Sequence, residues 1–237
     1  LVDDCIKEFQ LMSKLRGNSN IVSYEDHNVI EKQDGEFGWD IFIRMELLIP
    51  IVQYFTDNAP TQQDIIKLGI DICKALEVCG KYNIIHRDIK PSNIFVSDVG
   101  EFKLGDFGVA RVLDKTNIGL SRKGTYTYMA PEIYRGEEYD LSVDIYSLGI
   151  VMYKFSNNNL EPFRKDRTYQ DLENALKERM SNADIPKPIN CDEQLARIIL
   201  KACAYDLKDR YSSPKQMREE LENLLYTSEE NDYDSYD

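Results

Sequence analysis

The sequence predicts an α+β fold in which a small β-rich part precedes a larger, mostly helical part. Two runs rich in β-branched and aromatic residues, 21–31 and 38–47, flank Asp34-Gly35, a dipeptide that is a strong hairpin signal. Beyond Ser142, apolar residues recur at intervals of three or four, as on the buried face of a helix. Strands are therefore expected in the first half of the chain and helices in the second.

Two helices are also predicted within the first half. Residues 3–15 place apolar side chains at approximate helical spacing, and Gly17-Asn18 is a good terminal pair. Thr61 can cap a longer helix, since Asp64 follows three residues later. The apolar stripe of this helix runs to about Tyr82 and comprises Ile65, Leu68, Ile72, Leu76 and Cys79.

Short strands and then four helices follow. Residues 93–96 and 101–104 read as strands with glycine and aspartate turns around them. Helices are predicted over 142–155, 169–180, 192–203 and 214–226, and Ser213-Pro214 marks the start of the last one. Residues 227–237 contain five acids and no Lys or Arg, which predicts a disordered acidic tail.

Length and charge exclude several classes of protein. The 237 residues carry a net charge of -13, and 42% of them are hydrophobic, enough for a substantial core. The longest apolar runs fall well short of the roughly 20 residues that a membrane-spanning helix needs. The acidic balance would repel nucleic acid, so we expect no nucleic-acid partner and no membrane contact within this chain.

Cysteine usage favours a reducing compartment. Five widely spaced cysteines form no C-x-x-C pair, and the only histidines are His27 and His86. This pattern fits reduced thiols in a cytoplasmic protein better than a disulfide framework or a zinc site. No signal peptide is visible at Leu1, and the missing Met suggests a sequence cut from something longer, whose parent could be tethered to a membrane elsewhere.

Residues 83–95 form a polar cluster set between apolar pairs. The stretch Asn-Ile-Ile-His-Arg-Asp-Ile-Lys-Pro-Ser-Asn-Ile-Phe offers a base, a cation and an amide within one loop, which suits chemistry on a phosphate. Shortly after it, a predicted strand ends on Asp106 between two glycines. Asp106 and Asn93 together offer oxygen ligands to a hard cation.

With these motifs the sequence resembles the protein kinase family, in its Ser/Thr branch and in the bacterial eukaryotic-like group. His86-Arg87-Asp88, with Asn93 five residues after the Asp, matches the catalytic-loop motif. Asp106-Phe107-Gly108 matches the magnesium motif, and Ala130-Pro131-Glu132 matches the end of the activation segment. The resemblance covers residues 8 to about 226 and implies a kinase-like fold, with a truncated small β N-lobe and a mostly helical C-lobe.

The resemblance implies a phosphotransfer site that uses ATP and Mg²⁺. Asp88 would act as the base for the substrate hydroxyl, and Lys90 would neutralise charge on the transferred phosphoryl group. Asn93 and Asp106 would hold the magnesium ions. The implied partners are ATP and proteins that offer Ser or Thr hydroxyls, because Lys90 and Thr125 are typical of Ser/Thr kinases.

Further positions resemble the nucleotide pocket of the family. Met45 would lie at the back of the adenine pocket, and Glu46 to Leu48 would form the hinge that binds adenine through its backbone. Phe95 would form the floor of this pocket. Glu8 lies where the family has the glutamate of its αC helix, with a solvated helix glutamate as the alternative.

Other matching residues would stabilise or regulate the site. Asp144 resembles the aspartate that braces the catalytic loop, and Arg210 resembles the arginine that pairs with Glu132. Arg87 would lie in a basic pocket that a phosphate on the activation segment can satisfy. Ser121 lies where the main phosphorylation site of the family usually falls.

The match to the family has a gap at its beginning. Kinases carry a G-x-G-x-x-G turn and a strand lysine before the αC helix, and this sequence contains neither. We therefore divide the chain into an N-lobe remnant (1–48), a C-lobe (49–226) and the acidic tail (227–237). This chain alone is expected to be a poor catalyst.

Two explanations of the gap differ in class. The parent protein is an active kinase whose first strands lie before Leu1, or it has lost ATP chemistry and serves as a binding scaffold. A base and two metal ligands favour the enzyme, because a scaffold has no physical need of them. A two-metal phosphohydrolase built on Asp88 and Asp106 is weaker, since such sites usually recruit more carboxylates or histidines.

The substitution Ser121→Ala in a complete domain should lower phosphotransfer and increase protease cleavage in the activation segment. The reason is that a phosphate on Ser121 would order this segment by charge-assisted hydrogen bonds to Arg87. Activity assays and limited proteolysis measure the two effects. Unchanged activity together with unchanged cleavage would leave Ser121 a solvated loop serine.

Overall fold

The small β-rich part consists of one helix and a hairpin. The computed structural model describes residues 9, 11–32, 38–107, 111–112 and 126–233, of which 111–112 and 226–233 are described by their backbone alone. Phe9 and residues 11–15 are helical, and we call this segment α1. Its buried face consists of Phe9, Leu11, Met12 and Leu15, as the apolar spacing predicts for the described part of this helix.

The predicted hairpin is confirmed in its two strands. Strand β1 (Tyr24–Glu31) pairs antiparallel with β2 (Trp39–Met45), from Tyr24 opposite Met45 to Glu31 opposite Trp39. The Asp34-Gly35 turn lies outside the described residues. Phe9 of α1 stacks on His27 of β1, with ring centroids 4.1 Å apart. The hairpin is thereby held against α1.

A three-stranded antiparallel sheet carries the next part of the chain. Its order is β3 (Ile49–Pro50), β5 (Ile94–Val96) and β6 (Phe102–Leu104). Strand β4 (Ile84–Ile85) pairs separately with β7 (Arg111–Val112). The predicted strands at 93–96 and 101–104 are thus confirmed within a residue at each end.

The long predicted helix is α3 (Gln62–Lys81), and its start has the predicted chemistry. Thr61 and Asp64 form a reciprocal capping box, which satisfies two of the backbone amides that a helix start leaves unpaired. A short helix, α2 (Ile51–Asp57), precedes it and was not predicted. Its apolar residues continue from the strand-like run before Pro50, so periodicity gave no sign of a boundary.

The second half of the described chain is helical, as predicted. It contains α4 (Pro131–Arg135), which was not predicted, α5 (Ser142–Phe155), α6 (Tyr169–Met180), α7 (Glu193–Ala202) and α8 (Pro214–Tyr233). The bounds of α5 and α6 agree with the prediction, and those of α7 agree within one residue. Within the described ranges, no helix combines the length and the apolar character needed to span a lipid bilayer.

The predicted disordered tail is wrong for residues 227–233. The backbone of α8 continues through them to Tyr233, whereas the sequence analysis ends this helix near Tyr226. Acidic composition indicates solvation, but residues 227–233 include no Gly or Pro to end the helix. Residues 234–237 lie outside the described part of the chain.

Helix α5 forms the centre of the helical part. Every residue of α5 except Lys154 is buried, so it packs against neighbours on all sides. At Gly149 an added Cβ would lie 2.8 Å from Cys203 Sγ and 2.9 Å from Ala202 Cβ. Only glycine therefore permits the observed approach of α5 to α7.

A buried ion pair joins α4 to the segment before α8. Arg210 Nη1 and Nη2 donate to the two carboxylate oxygens of Glu132 at 2.6 and 2.8 Å. Arg210 also donates to the backbone carbonyls of Ala204 and Tyr205, and its guanidinium stacks on Tyr146. Both charges are buried but fully engaged, so the loss of either partner would leave an unpaired charge in the core.

The substitution Arg210→Leu should lower the free energy of unfolding by about 3–5 kcal/mol, because it leaves the Glu132 carboxylate buried without its counterion. Chemical denaturation measures this change. The matched control is Arg135→Leu, which removes an exposed pair with Glu137 and should cost less than about 1 kcal/mol. Equal costs for the two substitutions would show that burial of the Glu132 pair is unimportant.

Candidate active site

The loop between β4 and β5 is fixed to α5 by one carboxylate. The backbone amides of His86 and Arg87 donate to the two oxygens of Asp144, at 2.7 and 2.8 Å. Burial raises the pKa of Asp144 to about 6, although the two backbone donors act in the opposite direction. The two contacts of Asp144 hold the loop backbone against α5.

The side chain of His86 completes this support in its neutral form. Its Nε2 lies 3.0 Å from the carbonyl oxygen of Gly105, which can only accept, so Nε2 carries the proton. The amide of Asp88 points at Nδ1 from 3.4 Å, in keeping with that tautomer. Burial lowers the pKa of His86 to about 4. The neutral His86 ring therefore connects the loop to the end of β6 by a hydrogen bond and does not act as a base.

Asp88, Lys90 and Asn93 form a connected polar group at the tip of the loop. Lys90 Nζ lies 2.6 Å from Asp88 Oδ2, and Asn93 Nδ2 donates to the same oxygen at 3.0 Å. Asn93 Nδ2 also donates to the backbone carbonyl of Asp88 at 2.8 Å. The described residues provide no hydrogen bond to Oδ1 of Asp88, which leaves this oxygen able to accept a proton.

Asp106 is placed beside Asn93 by a backbone contact between the loop and the end of β6. The amide of Gly105 donates to the carbonyl of Asn93 at 2.9 Å. A Cβ on Gly105 would lie 2.8 Å from Val22 and 2.9 Å from Phe95, so glycine is needed for this approach. Asp106 itself is exposed and has a left-handed backbone, with φ of 58°. Asp106 thus lies at the surface of the site.

Two residues of the site hold backbone conformations that cost energy. Arg87 has φ of 70°, and Asp106 has φ of 58°. A non-glycine residue in this region costs of the order of 1–3 kcal/mol. The hydrogen bonds of the Arg87 amide to Asp144 and of the neighbouring Gly105 amide to Asn93 maintain these conformations.

The guanidinium of Arg87 contacts Tyr139, a residue that the sequence analysis missed. The two side chains are hydrogen-bonded, and the guanidinium carbon lies 5.1 Å from the centre of the tyrosine ring. Tyr139 lies in the link between α4 and α5. No motif in the sequence identifies it, because its role depends on where that link passes over the loop.

The predicted hinge follows the end of β2. Met45 pairs with Tyr24 and is about half exposed, whereas Leu48 is half-buried. The Glu46 carboxylate turns away from the hinge backbone and pairs with Lys103 of β6 at 2.9 Å. The sequence analysis does not single out Lys103, because its partner could not be read from the sequence.

Phe95 lies on β5, and its ring would lie 2.9 Å from a Cβ added to Gly105, the residue before Asp106. Its neighbour across the sheet is Pro50, which follows the hinge. Phe95 thus lies between the hinge and the candidate metal ligands. Three other predicted site residues, Glu8, Ser121 and Thr125, lie outside the described residues.

The donor set at the loop tip fits a hard divalent cation. A carboxylate from Asp106 and the amide oxygen of Asn93 are oxygen ligands of the kind that Mg²⁺ prefers. Among the described residues, no group of three or more His, Cys, Asp or Glu side chains is arranged to hold a metal. A small number of protein ligands is typical of a magnesium ion that also binds nucleotide phosphates. The same small number argues against a two-metal phosphohydrolase.

Together these contacts bring a carboxylate, a cation and an amide group to the ends of β5 and β6. Comparison with known proteins identifies the class. The model of the protein kinase domain family matches residues 2–221. The chain belongs to the protein kinase family.

Several curated relatives are bacterial kinases. The chain is 32% identical over 200 residues to the probable serine/threonine-protein kinase PknB of Lactococcus lactis, a match that covers 80% of this chain and 31% of that protein. It is 34% identical over 175 residues to the serine/threonine-protein kinase PknB of Mycolicibacterium smegmatis, covering 70% of this chain and 27% of that protein.

A third relative carries a different name. The tyrosine-protein kinase MasK of Myxococcus xanthus is 32% identical over 172 residues, covering 68% of this chain and 26% of that protein. The chain spans about a third or less of the length of each of these relatives. The predicted resemblance to the bacterial eukaryotic-like kinases is thus confirmed.

The pH dependence of stability should reveal the neutral, buried state of His86. Its pKa is about 4 in the folded chain and about 6.5 when unfolded, so the unfolded chain binds more protons between these values. The stabilisation is complete above pH 6.5 and is lost as the pH falls. As the pH falls from 7 to 4, the free energy of unfolding of the wild-type chain should decrease by about 3 kcal/mol more than that of His86→Gln.

Urea denaturation across this pH range measures the difference between the two chains. Asp144 titrates in the same range with the opposite sign, because its raised pKa favours folding at lower pH. Both chains retain Asp144, so its contribution cancels in the comparison. Parallel stability curves for the two chains would contradict the buried neutral state of His86.

Proposed function

We propose that the chain is the catalytic part of a protein kinase that transfers the γ-phosphoryl group of ATP to Ser or Thr hydroxyls of proteins. The observation that carries this proposal is the group of Asp88, Lys90 and Asn93, joined to the Asp106 strand end by the Gly105 hydrogen bond. A base, a cation and two oxygen ligands at one strand end are the parts that phosphoryl transfer requires.

Asp88 is the proposed base. Its Oδ2 is engaged by Lys90 and Asn93, and these contacts fix the orientation of the carboxylate. Oδ1 is then the oxygen that accepts the proton of the substrate hydroxyl as that oxygen attacks phosphorus.

Lys90 has two proposed roles that occur in sequence. Before substrate binds it pairs with Asp88, and its side chain is about one-quarter exposed, so it can turn toward a transferred phosphoryl group. There its charge would stabilise the negative charge that develops on the phosphoryl oxygens. The position of Lys90 is also the basis for proposing Ser/Thr substrates.

Asn93 and Asp106 are proposed to hold Mg²⁺, which when bound would neutralise nucleotide phosphates. The amide oxygen of Asn93 accepts a hydrogen bond from the Ser92 hydroxyl, which can rotate away to leave this oxygen for the metal. The Nδ2 group of Asn93 would keep its hydrogen bond to Asp88. One amide group would therefore link the metal ligand to the base. The hinge at Met45, Glu46 and Leu48 and the ring of Phe95 are proposed to receive the adenine.

Arg87 is proposed to report the state of the activation segment. Its contact with Tyr139 holds the guanidinium between the catalytic loop and the link before α5. A phosphate on Ser121 or Thr125 would provide stronger, charge-assisted hydrogen bonds than a tyrosine hydroxyl does. Glu8 is proposed as the αC glutamate, and Glu132, Asp144 and Arg210 are proposed as the structural supports.

The substitution Asp88→Asn should reduce phosphotransfer from Mg-ATP to a Ser- or Thr-containing substrate by about 10²–10⁴-fold, because the amide cannot accept the substrate proton. The assay uses the full-length protein that contains these residues. Asp98→Asn, an exposed turn aspartate, is the matched control and should retain wild-type activity.

Circular dichroism establishes that both variants are folded. Full activity of folded Asp88→Asn would overturn the proposed base. Absence of phosphotransfer by the wild-type protein, together with ATP binding that does not depend on magnesium, would instead favour a binding scaffold.

A further inference from the structure

A cleft lies between helices α5, α6 and α7, away from the ends of β5 and β6. Its volume is about 280 Å³. Its walls include Tyr146 of α5, Arg179 at the end of α6, Leu200 of α7, and Asp184, Ile185 and Tyr205 from the loops after α6 and α7. None of these residues belongs to the proposed catalytic group. The size is close to the lower end of small-molecule pockets, about 300–1,000 Å³, which indicates a small ligand.

Arg179 brings a buried positive charge to the wall of this cleft. Only 4% of the residue is exposed. Its Nη2 donates to the carbonyl of Tyr126 at 3.2 Å, but its buried Nε has no hydrogen-bond partner among the described residues. Within the same described ranges, no carboxylate lies at ion-pair distance from it. A buried cation without a counterion is costly, so this arrangement favours an anion in the cleft.

The hydroxyl of Tyr146 is a second buried polar group on the same wall. The residue is 1% exposed, and its Oη has no hydrogen-bond partner within the described part of the chain. Arg179 lies over its ring, 5.8 Å from the centre. Burial raises the pKa of Tyr146 to about 12, so the hydroxyl stays protonated and can donate. Buried polar groups normally have partners, and here two lack them beside one cleft.

We propose that this cleft binds a small organic carboxylate, with its charged group on Arg179 and its apolar body against Ile185 and Leu200. Arginine binds carboxylates through paired hydrogen bonds, and Nη1 of Arg179 donates no hydrogen bond to the described residues. The half-buried side chains of Ile185 and Leu200 offer apolar contact to the rest of the ligand. Asp184 at the exposed side of the cleft disfavours a phosphate dianion more strongly than a monoanion.

Binding is expected to be non-covalent. The thiol of Cys203 also lines the cleft, but burial raises its pKa to about 12, and a protonated thiol is a poor nucleophile. Arg179 in addition holds the carbonyl of Tyr126, which lies just before α4. The guanidinium that binds the ligand would therefore also support the segment that leads into α4.

The test is a titration of the full-length protein that contains these residues with 4-fluorobenzoate, followed by fluorine NMR at constant ionic strength. Wild type should show saturable binding, and Arg179→Met should weaken it about tenfold or more, because the paired hydrogen bonds are lost. The matched control is Arg167→Met, which removes an exposed arginine outside the cleft and should bind as wild type does. Competition by inorganic phosphate should be weaker than competition by unlabelled benzoate.

A second variant keeps the test decisive if Arg179→Met does not fold. Asp184→Asn removes a repelling charge from an exposed position, so it should bind 4-fluorobenzoate more tightly than wild type. Absence of saturable binding to wild type, or equal binding by wild type and a folded Arg179→Met, would overturn the proposal. Competition by benzylamine but not by benzoate would also overturn it, because Asp184 rather than Arg179 would then select the ligand.

Discussion

The carboxylate of Asp144 is the interaction on which the site depends. It accepts the amides of His86 and Arg87, and these two bonds fix the loop that carries Asp88, Lys90 and Asn93. The loop is otherwise an irregular segment, and Arg87 lies in a strained conformation within it. Because Asp144 belongs to the most buried helix of the described chain, the position of the loop is as rigid as the core itself.

Three titratable side chains of the core are buried in three different states. Asp144 is buried with two donors, His86 is buried as a neutral ring, and Arg210 is buried in a paired and fully hydrogen-bonded state. Each solution avoids an unpaired charge in the core. Arg179 is the exception among these groups, and it lies beside a cleft rather than within close packing.

Much of the fold could be predicted from the sequence, because periodicity and local chemistry decide it. The stripe of α3 with its Thr61 cap, the strands of the hairpin and the bounds of α5 and α6 all follow from residues close together in the chain. The short helices α2 and α4 were missed, since a few residues offer no period to detect. The extension of α8 was missed because acidity was given more weight than the absence of helix breakers.

The sequence predicted which residues belong to the site but not the contacts between them. The family resemblance identifies Asp88, Asn93 and Asp106, and it also implies that Arg210 pairs with Glu132, a pair that the structure contains. Spacing cannot show that Lys103 meets Glu46 or that Tyr139 meets Arg87, because these partners are 57 and 52 residues apart. Long-range contacts of this kind depend on how the elements pack and leave no local signal.

Strand β6 has a mechanical consequence for the site. The backbone of Leu104 exchanges hydrogen bonds with Asn20 and Val22, and Lys103 is tied to the hinge through Glu46. The small β-rich part is thus joined to the strand that ends two residues before Asp106. A tilt of the hairpin would twist this strand end and displace the Asp106 carboxylate relative to Asn93. The spacing of the two candidate metal ligands is therefore sensitive to the angle between the two parts of the molecule.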